Sequence, residues 1–486
     1  MSTNISAIHQ GTVGLPTTPG AKALVEELLE KDRQEHHCFF GRVGFHNHLS
    51  HHLLAAYDLG APSNLLQAIY DAKQTGLDPI LRDEQQFEVD KTNWQQHLGD
   101  EKYYAAYVTF FTKEIKRVGA GQFLEEYVFA PAANGNGASM LARFISGAVH
   151  PTIQTGYGVE FGSDAMVAQG VAQAAIHSDK SVPEALRLGP QPSGHVNSTS
   201  SPDGHRQPSR GLSFLEILRE FYDSPILKPV MPYDPNAFLR IRQADAVKDG
   251  RPEEIARLAD KWIVDTSKGQ AGLDEKVEEL LWVTTLLLAG SGKKGRKPKV
   301  DFFIMHLLNV SIFMPAFLKV IPSTESKVVL VRGLLPVIFM MLILRGRPRI
   351  DSELMMSYTA TPRPPVAPAK ADASAVGDPT KEDFVDPWPA IISSVQYAPD
   401  THTVKAIRTL YFAAKQYGTL PAGQAIGAFR KDGTETHAGI GKVDGTLFVR
   451  AAGVVMDTLG WVSHGQKAGQ WDRSALGWDD AWKNDD

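Results

Sequence analysis

Sixteen histidines stand in this chain of 486 residues, and several fall where an exposed surface role is strained. The densest run is FHNHLSHH, which sets His46, His48, His51 and His52 at the start of an apolar segment. Helical spacing would put His48 on one face with His51 or with His52. A neutral imidazole carries a ring lone pair that can hold a transition metal, so at least one inward-facing ligand is expected from the run. The alternative is a polar helix start with solvated rings. His150 follows MLARFISGAV and precedes Pro151. That context reads as a helix C-terminus, where an imidazole also complements the helix dipole. His306 lies inside FFIMHLLNVSIF, and an imidazole buried there must find a hydrogen-bond partner or a metal. A satisfied core histidine is the competing reading.

In DTHTVKAIRTLYFAAK, His402 and Lys405 stand three apart on one helix face, and Lys405 has Val404, Ala406 and Ile407 beside it. A lysine forced inward loses its charge, and a neutral amine can take up carbon dioxide to become a carbamate, a hard oxygen ligand. The alternative is a lysine that snorkels to solvent. Gly290-Ser291-Gly292-Lys293-Lys294-Gly295 fits G-x-G-x-x-G, yet it follows a helical segment instead of a strand, and no acidic residue stands about 20 positions on to hold a ribose. It reads as a solvent-exposed basic loop.

These residues need a scaffold, and the periodicity predicts a mainly α, multi-helical one. Apolar residues recur at three and four in AKALVEELLEK, LLQAIYDAK, YYAAYVTFFTKEIKRVG, GLSFLEILREFYD, PEEIARLADKWIVD, DEKVEELLWVTTLLLAG, VKAIRTLYFAAKQYG and VRAAGVVMDTLGWVSHG. Strand alternation is scarce, with GIGKVDGTLFV the one expected hairpin, around Asp444-Gly445. Residues 188–212 and 361–382, rich in Ser, Pro, Gly and Ala, read as mobile insertions because their composition cannot offset the entropy of ordering. The chemistry-bearing residues lie on both sides of each insertion, so a single catalytic body over residues 20–486 is expected, its site assembled from distant helices.

Lys and Arg number 50 against 55 Asp and Glu, for a formal charge of −5. An acidic chain without a basic stripe lacks the field a nucleic-acid binder needs. The lone Cys38 and an opening without an apolar signal region point to a cytoplasmic protein without an internal disulfide. The apolar runs Gly333 to Leu344 and Phe302 to Leu318 are too short or too polar for the roughly 20 residues a membrane span takes, and read as core helices.

FHNHLSHHLLAAYDLGA, AVHPTIQTGYGVEFG, FFIMHLLN and DTHTVKAIRTLYFAAKQYG, in that order, resemble the questin oxidase-like family, fungal tailoring enzymes with bacterial relatives that oxidatively open anthraquinone rings of aromatic polyketides. The resemblance runs from about residue 40 to about residue 460. It implies one of two chemistries: an NADPH-dependent Baeyer–Villiger-type monooxygenation, or a dioxygenase reaction at mononuclear non-haem iron held by four histidines and a carboxylated lysine. Carried onto this sequence, the ligands are His48, His150, His306, His402 and a carbamate on Lys405, with His46, His51 and His52 near enough to stand in for His48. An anthraquinone-type polyketide and dioxygen are the implied partners, with NADPH a reductant in the first account. Five protein ligands would leave one octahedral position open. Asp400 could accept a hydrogen bond from His402 or serve as a helix cap, and Tyr157 could line the pocket or simply pack. A different class, a non-catalytic helical ligand carrier, would leave the histidines structural.

Overall fold

The computed structural model describes residues 6–41, 44–80, 88–178, 189–192, 204–230, 232–366 and 370–483. All eight segments with helical period form helices. The longer ones, in chain order, are α1 (Ala21–Glu35), α2 (Leu49–Asp58), α3 (Ser63–Lys73), α4 (Tyr104–Val118), α5 (Ser146–Phe161), α6 (Asp164–Ile176), α7 (Phe214–Asp223), α8 (Gln270–Ala289), α9 (Phe302–Ser311), α10 (Thr324–Leu344), α11 (Thr401–Tyr417) and α12 (Leu447–Leu459). Among the described residues the only sheet is one two-residue antiparallel pair, β1 (Phe39–Phe40) and β2 (Phe45–His46), so the protein is mainly α. The expected hairpin at Asp444-Gly445 does not form. Asp444 instead accepts from the Thr446 amide at 2.9 Å, one residue before α12 begins.

Several helices end where side-chain chemistry dictates. Ser213 and Glu216 form a reciprocal capping box on α7, and Ser163, Ser323 and Asp301 accept amide bonds at the starts of α6, α10 and α9. Helix α8 is buried from Lys276 to Ala289 on every face, as a central helix must be. Lys276 is accommodated there by Glu279 at 2.7 Å.

Both apolar runs lie mostly inside the protein, as expected of core helices, although by length and composition alone each belongs to a helical stretch long and apolar enough to cross a membrane. Phe302 to Leu318 breaks into α9 and a short helix, Met314–Val320, with Pro315 in the first turn of the latter. The Gly333 run is the end of a continuous 21-residue helix, α10, which by length and composition alone is long enough to cross a membrane. Of its most apolar window, 89% is buried inside the protein, and its Arg332 donates to the Trp262 carbonyl at 2.9 Å.

Of the segment 188–212, residues 188 and 193–203 lie outside the described residues. The part from 204 is tied to the body: Arg206 pairs with Glu278, and Gln207 donates to the Phe429 carbonyl at 2.7 Å. In 361–382 the described residues are mostly exposed, although Pro362 packs against Gly453 of α12 and Arg363 donates to the Thr380 carbonyl at 3.1 Å.

Helices α2, α5, α9 and α11 form a closed circuit of packing. Helix α2 packs on α11, α11 on α9, α9 on α5, and α5 back on α2. That circuit brings together residues more than 350 positions apart in sequence, such as His48 and His402.

A candidate metal centre

Each helix of the circuit contributes one imidazole at or near its N-terminal end. His48 immediately precedes α2, His306 lies one turn into α9, and His402 is the second residue of α11. His150 corrects the sequence reading, because it does not end a helix. Gly147, Ala148 and Val149 take left-handed backbone angles (φ 55°, 52° and 60°), and the regular right-handed part of α5 starts at His150, with Pro151 in its first turn. Proline here begins a helix instead of closing one. Left-handed Ala148 and Val149 are costly, the β-branched Val149 most of all. Gly147 is demanded twice over, since a Cβ there would stand 2.2 Å from His177 Nε2.

The four imidazoles make a ring. Centroid separations are 4.9 Å for His48–His150, 4.7 Å for His150–His306, 5.0 Å for His306–His402 and 4.6 Å for His402–His48. One ligand-capable nitrogen from each lies within 4.8 Å of all the others. The outer nitrogens of three rings are already engaged. His150 Nδ1 meets the Gly147 carbonyl at 2.5 Å, His306 Nδ1 meets the Phe302 carbonyl at 2.8 Å, and His402 Nδ1 meets Asp400 Oδ1 at 2.9 Å. Acceptors in those places make each Nδ1 the protonated nitrogen, leaving the Nε2 lone pair facing inward, which is the arrangement of metal-binding histidines. His306 Nε2 and His402 Nε2 are buried without any hydrogen-bond partner, and His48 Nε2 lies 2.9 Å from His150 Nε2. With its proton on Nε2 His48 can donate to His150, but the inward lone pairs of His306 and His402 meet no donor, and a cation at the centre would satisfy them. The residues therefore fit a metal.

Electrostatics keeps the rings neutral. Burial, then the charges of neighbouring rings and Lys405, push the proton affinities of His48, His150 and His306 well below the ordinary imidazole value. For His402 burial lowers and the Asp400 bond raises, leaving it at about 4. Burial raises the Asp400 carboxyl, but the hydrogen bonds from His402 outweigh this and hold it well below the usual carboxylate range. Asp400 thus fills both expected roles, capping α11 through the His402 amide at 2.7 Å and orienting the ring of the same residue.

Lys405, one turn along α11, does not snorkel. It is 2% exposed, its Nζ lies 3.5 Å from His51 Nδ1, and burial brings it down to about 7, so the neutral amine is accessible near neutral pH. The other histidines of the first run sit outside the ring. His46 belongs to β2, stacks on His150 at 3.9 Å and faces His177. His51 Nε2 is held by Gln154 Oε1 at 2.6 Å, and His52 Nδ1 by Thr401 Oγ1 at 3.1 Å. Tyr157 stacks on the far side of His51 at 4.9 Å and packs against Phe313 at 4.7 Å, with its hydroxyl raised by burial. It supports His51 and is not among the four rings.

The sequence profile of the questin oxidase-like family matches residues 45–410, a span containing all four histidines and Lys405. The chain belongs to the questin oxidase-like family. Among its relatives are a protein named Baeyer-Villiger oxidase AgnL3 from Paecilomyces divaricatus, 27% identical over 62% of this chain and 63% of its own length, and questin oxidase from Aspergillus fumigatus, 27% identical over 64% and 68%. Baeyer-Villiger oxidase ptaJ from Pestalotiopsis fici is 28% identical over 64% and 66%. The match thus spans just under two thirds of the length of two of these relatives.

Several residues that build this questin oxidase-like site escaped the sequence reading. Gln154 stands four residues after His150 and Phe302 four before His306, so helical spacing from each histidine would have found them. The glycine-rich motif, by contrast, proves to be a helix end. Gly290 closes α8, its carbonyl accepts from the Asp351 amide at 2.7 Å, and Lys293 pairs with Asp479.

Proposed function

We propose that this protein is an oxidoreductase that opens a ring of an anthraquinone, or a related polycyclic phenol, with dioxygen, using one ferrous iron held by His48, His150, His306, His402 and a carbamate on Lys405. The observation that carries the reading is the ring of four neutral imidazoles, three buried and His48 half-buried, whose Nε2 atoms converge, two of them without any partner. The names of the relatives, questin oxidase and Baeyer-Villiger oxidase, support oxidation as the reaction type and the substrate class.

Iron held there would supply redox activation of dioxygen. The chain's own residues do the rest. Asp400 and the carbonyls of Gly147 and Phe302 fix which nitrogen of three of the rings, His402, His150 and His306, faces inward, and burial keeps the imidazoles unprotonated. The neutral Lys405 amine attacks the carbon of carbon dioxide and gives one proton to water, leaving a carbamate with one negative charge. That charge would partly offset the cation, which otherwise faces neutral donors and the positive ends of helices.

A second reading, an NADPH-dependent Baeyer–Villiger monooxygenation, is favoured by the names of relatives. The electron balance separates the two. A dioxygenase places both oxygen atoms in product and needs no external reductant, whereas a monooxygenase releases one as water and takes two electrons from NADPH. Purified protein reconstituted with ferrous iron, given a hydroxyanthraquinone and oxygen with and without NADPH, is expected to consume substrate only when iron is present. Turnover by rigorously metal-free protein would overturn the iron reading. Binding of the dye with neither iron uptake nor turnover would favour a carrier.

A further inference from the structure

Arg473 lies beyond the span matched by the family, yet the fold sets it against the metal centre. The Asp472 amide donates to the Val300 carbonyl at 2.9 Å, and the Phe302 amide donates to the Asp472 carbonyl at 2.8 Å, so the segment carrying Arg473 is laced to the start of α9. The guanidinium carbon then sits 4.0 Å from the centre of the Phe302 ring. Phe302 in turn stands edge-on to His306 at 5.0 Å and to His402 at 4.9 Å. A single aromatic ring therefore separates this cation from two of the four imidazoles.

The charge is not consumed locally. Asp472, the adjacent carboxylate, accepts from the Ser474 amide and hydroxyl at 2.8 and 2.7 Å and lies 3.9 Å from Lys299. Lys73, another cation on this side, donates to the Pro399 carbonyl. Among the described residues no hydrogen bond or ion pair engages the Arg473 side chain, which is exposed, while Phe302 and His48 beside the ring are half-buried and Asp400 is 44% exposed on its side chain. Phe302, His48 and Asp400 all meet His402, so the partly exposed residues bring solvent closest to the ring beside His402, on the side that Arg473 covers through Phe302. With imidazoles held neutral and Asp400 committed to His402, a guanidinium with its N–H donors free is the group there suited to an anionic oxygen.

We propose that Arg473 binds the ionised hydroxyl of the polycyclic phenol, holding the substrate as its phenolate at the mouth of the histidine ring. The inference rests on the reading above that the substrate is such a phenol. The phenolate is the electron-rich form from which an oxidation draws electrons most readily, and a fixed cation beside it favours that form, the phenol proton passing to water.

β-Hydroxyanthraquinone reports its own ionisation by a shift of its visible band, and its methyl ether cannot ionise. Both are bound anaerobically to the iron-loaded full-length protein, and the hydroxyl compound is titrated with pH. The expected result is an ionisation midpoint about one pH unit or more below that of the free dye, the effect of an opposite charge within contact distance. R473M and R473Q are expected to restore the free-dye midpoint and R473K to keep part of the shift, with iron content and methyl-ether affinity unchanged in all three. A lowered midpoint that survives in R473M and R473Q would overturn the Arg473 assignment and leave the substrate reading standing. Failure of the wild-type protein to bind either dye while loading iron would overturn the substrate reading and this inference with it.

Discussion

Lys405 is the residue whose physical state most sharply separates a carbamate-bearing centre from a plain histidine cluster. Burial brings Lys405 down to about 7 with one long contact, 3.5 Å to His51 Nδ1, so Lys405→Met, which spares the desolvation of an amine, should leave the metal-free protein at least as stable as wild type. The same variant should lose iron. Thermal unfolding and metal analysis on one preparation check both, and a variant that is destabilised yet retains a full equivalent of iron would contradict the assignment. The histidines make a pH prediction with a definite sign. His402 falls from 6.5 to about 4 on folding, so the unfolded chain takes up a proton that the folded chain refuses as pH drops below 6.5. Stability is therefore lost from pH 6.5 down to about 4, and His48, His150 and His306 shift in the same direction. Metal-free protein should melt at a lower temperature at pH 5 than at pH 7, and iron should protect it. At this scale the sequence singled out the imidazole inside FFIMHLLN and the lysine amid Val404, Ala406 and Ile407, but a satisfied core histidine and a snorkelling lysine fitted the same local context, because periodicity does not say what lies across the helix face. Which of His46, His48, His51 and His52 faces the centre was not readable, because β2 ends at His46 and α2 begins only at Leu49, so no helical spacing applies across the run.

Two devices hold the helices that hold the histidines. Arg408 of α11 bonds Asp58 of α2 at 2.7 Å and also pairs with Glu160 of α5, all at most 1% exposed on their side chains. The triad also binds the N-terminal segment, with Asp58 accepting from the Val13 and Gly14 amides at 3.1 and 2.8 Å and Glu160 from the Thr12 amide at 2.7 Å. Removing one member of a buried ion network strands the others, so Asp58→Ala should cost about 3–5 kcal/mol in denaturant unfolding, and a cost under about 1 kcal/mol would contradict the clamp. Helix α9 has its own anchor in the buried Asp301–Arg345 pair at 2.8 Å. The second device is the left-handed turn before His150. Gly147→Ala should destabilise the protein and weaken iron binding, because it forces His177 aside and disturbs the carbonyl that orients His150. Ala148→Gly should do the reverse to stability, gaining about 1 kcal/mol by relieving an L-residue at φ 52°. Helix periods were legible along most of the chain, since apolar spacing reports a buried face. The turn and the triad were not: a left-handed Ala-Val pair leaves no compositional trace, and the pairing of Arg408 with residues hundreds of positions away depends on packing that periodicity does not encode.

For the whole molecule, the closed circuit of four helices explains why the chemistry-bearing residues are scattered from 48 to 405. The same packing accounts for the long apolar helix α10. With its apolar window mostly inside the body, the protein should remain in the aqueous fraction when mixed with phospholipid vesicles and floated on a density gradient, and migration with the vesicles would contradict a core role. The central claim is that the four imidazoles are one metal site, and anaerobic reconstitution with ferrous iron followed by metal analysis tests it most directly. The wild-type chain is expected to hold one equivalent of iron, and His306→Ala, which removes a fully buried ring and its unpartnered Nε2, less than about a tenth of that. Equal iron in the two proteins, or none in the wild type, would contradict it.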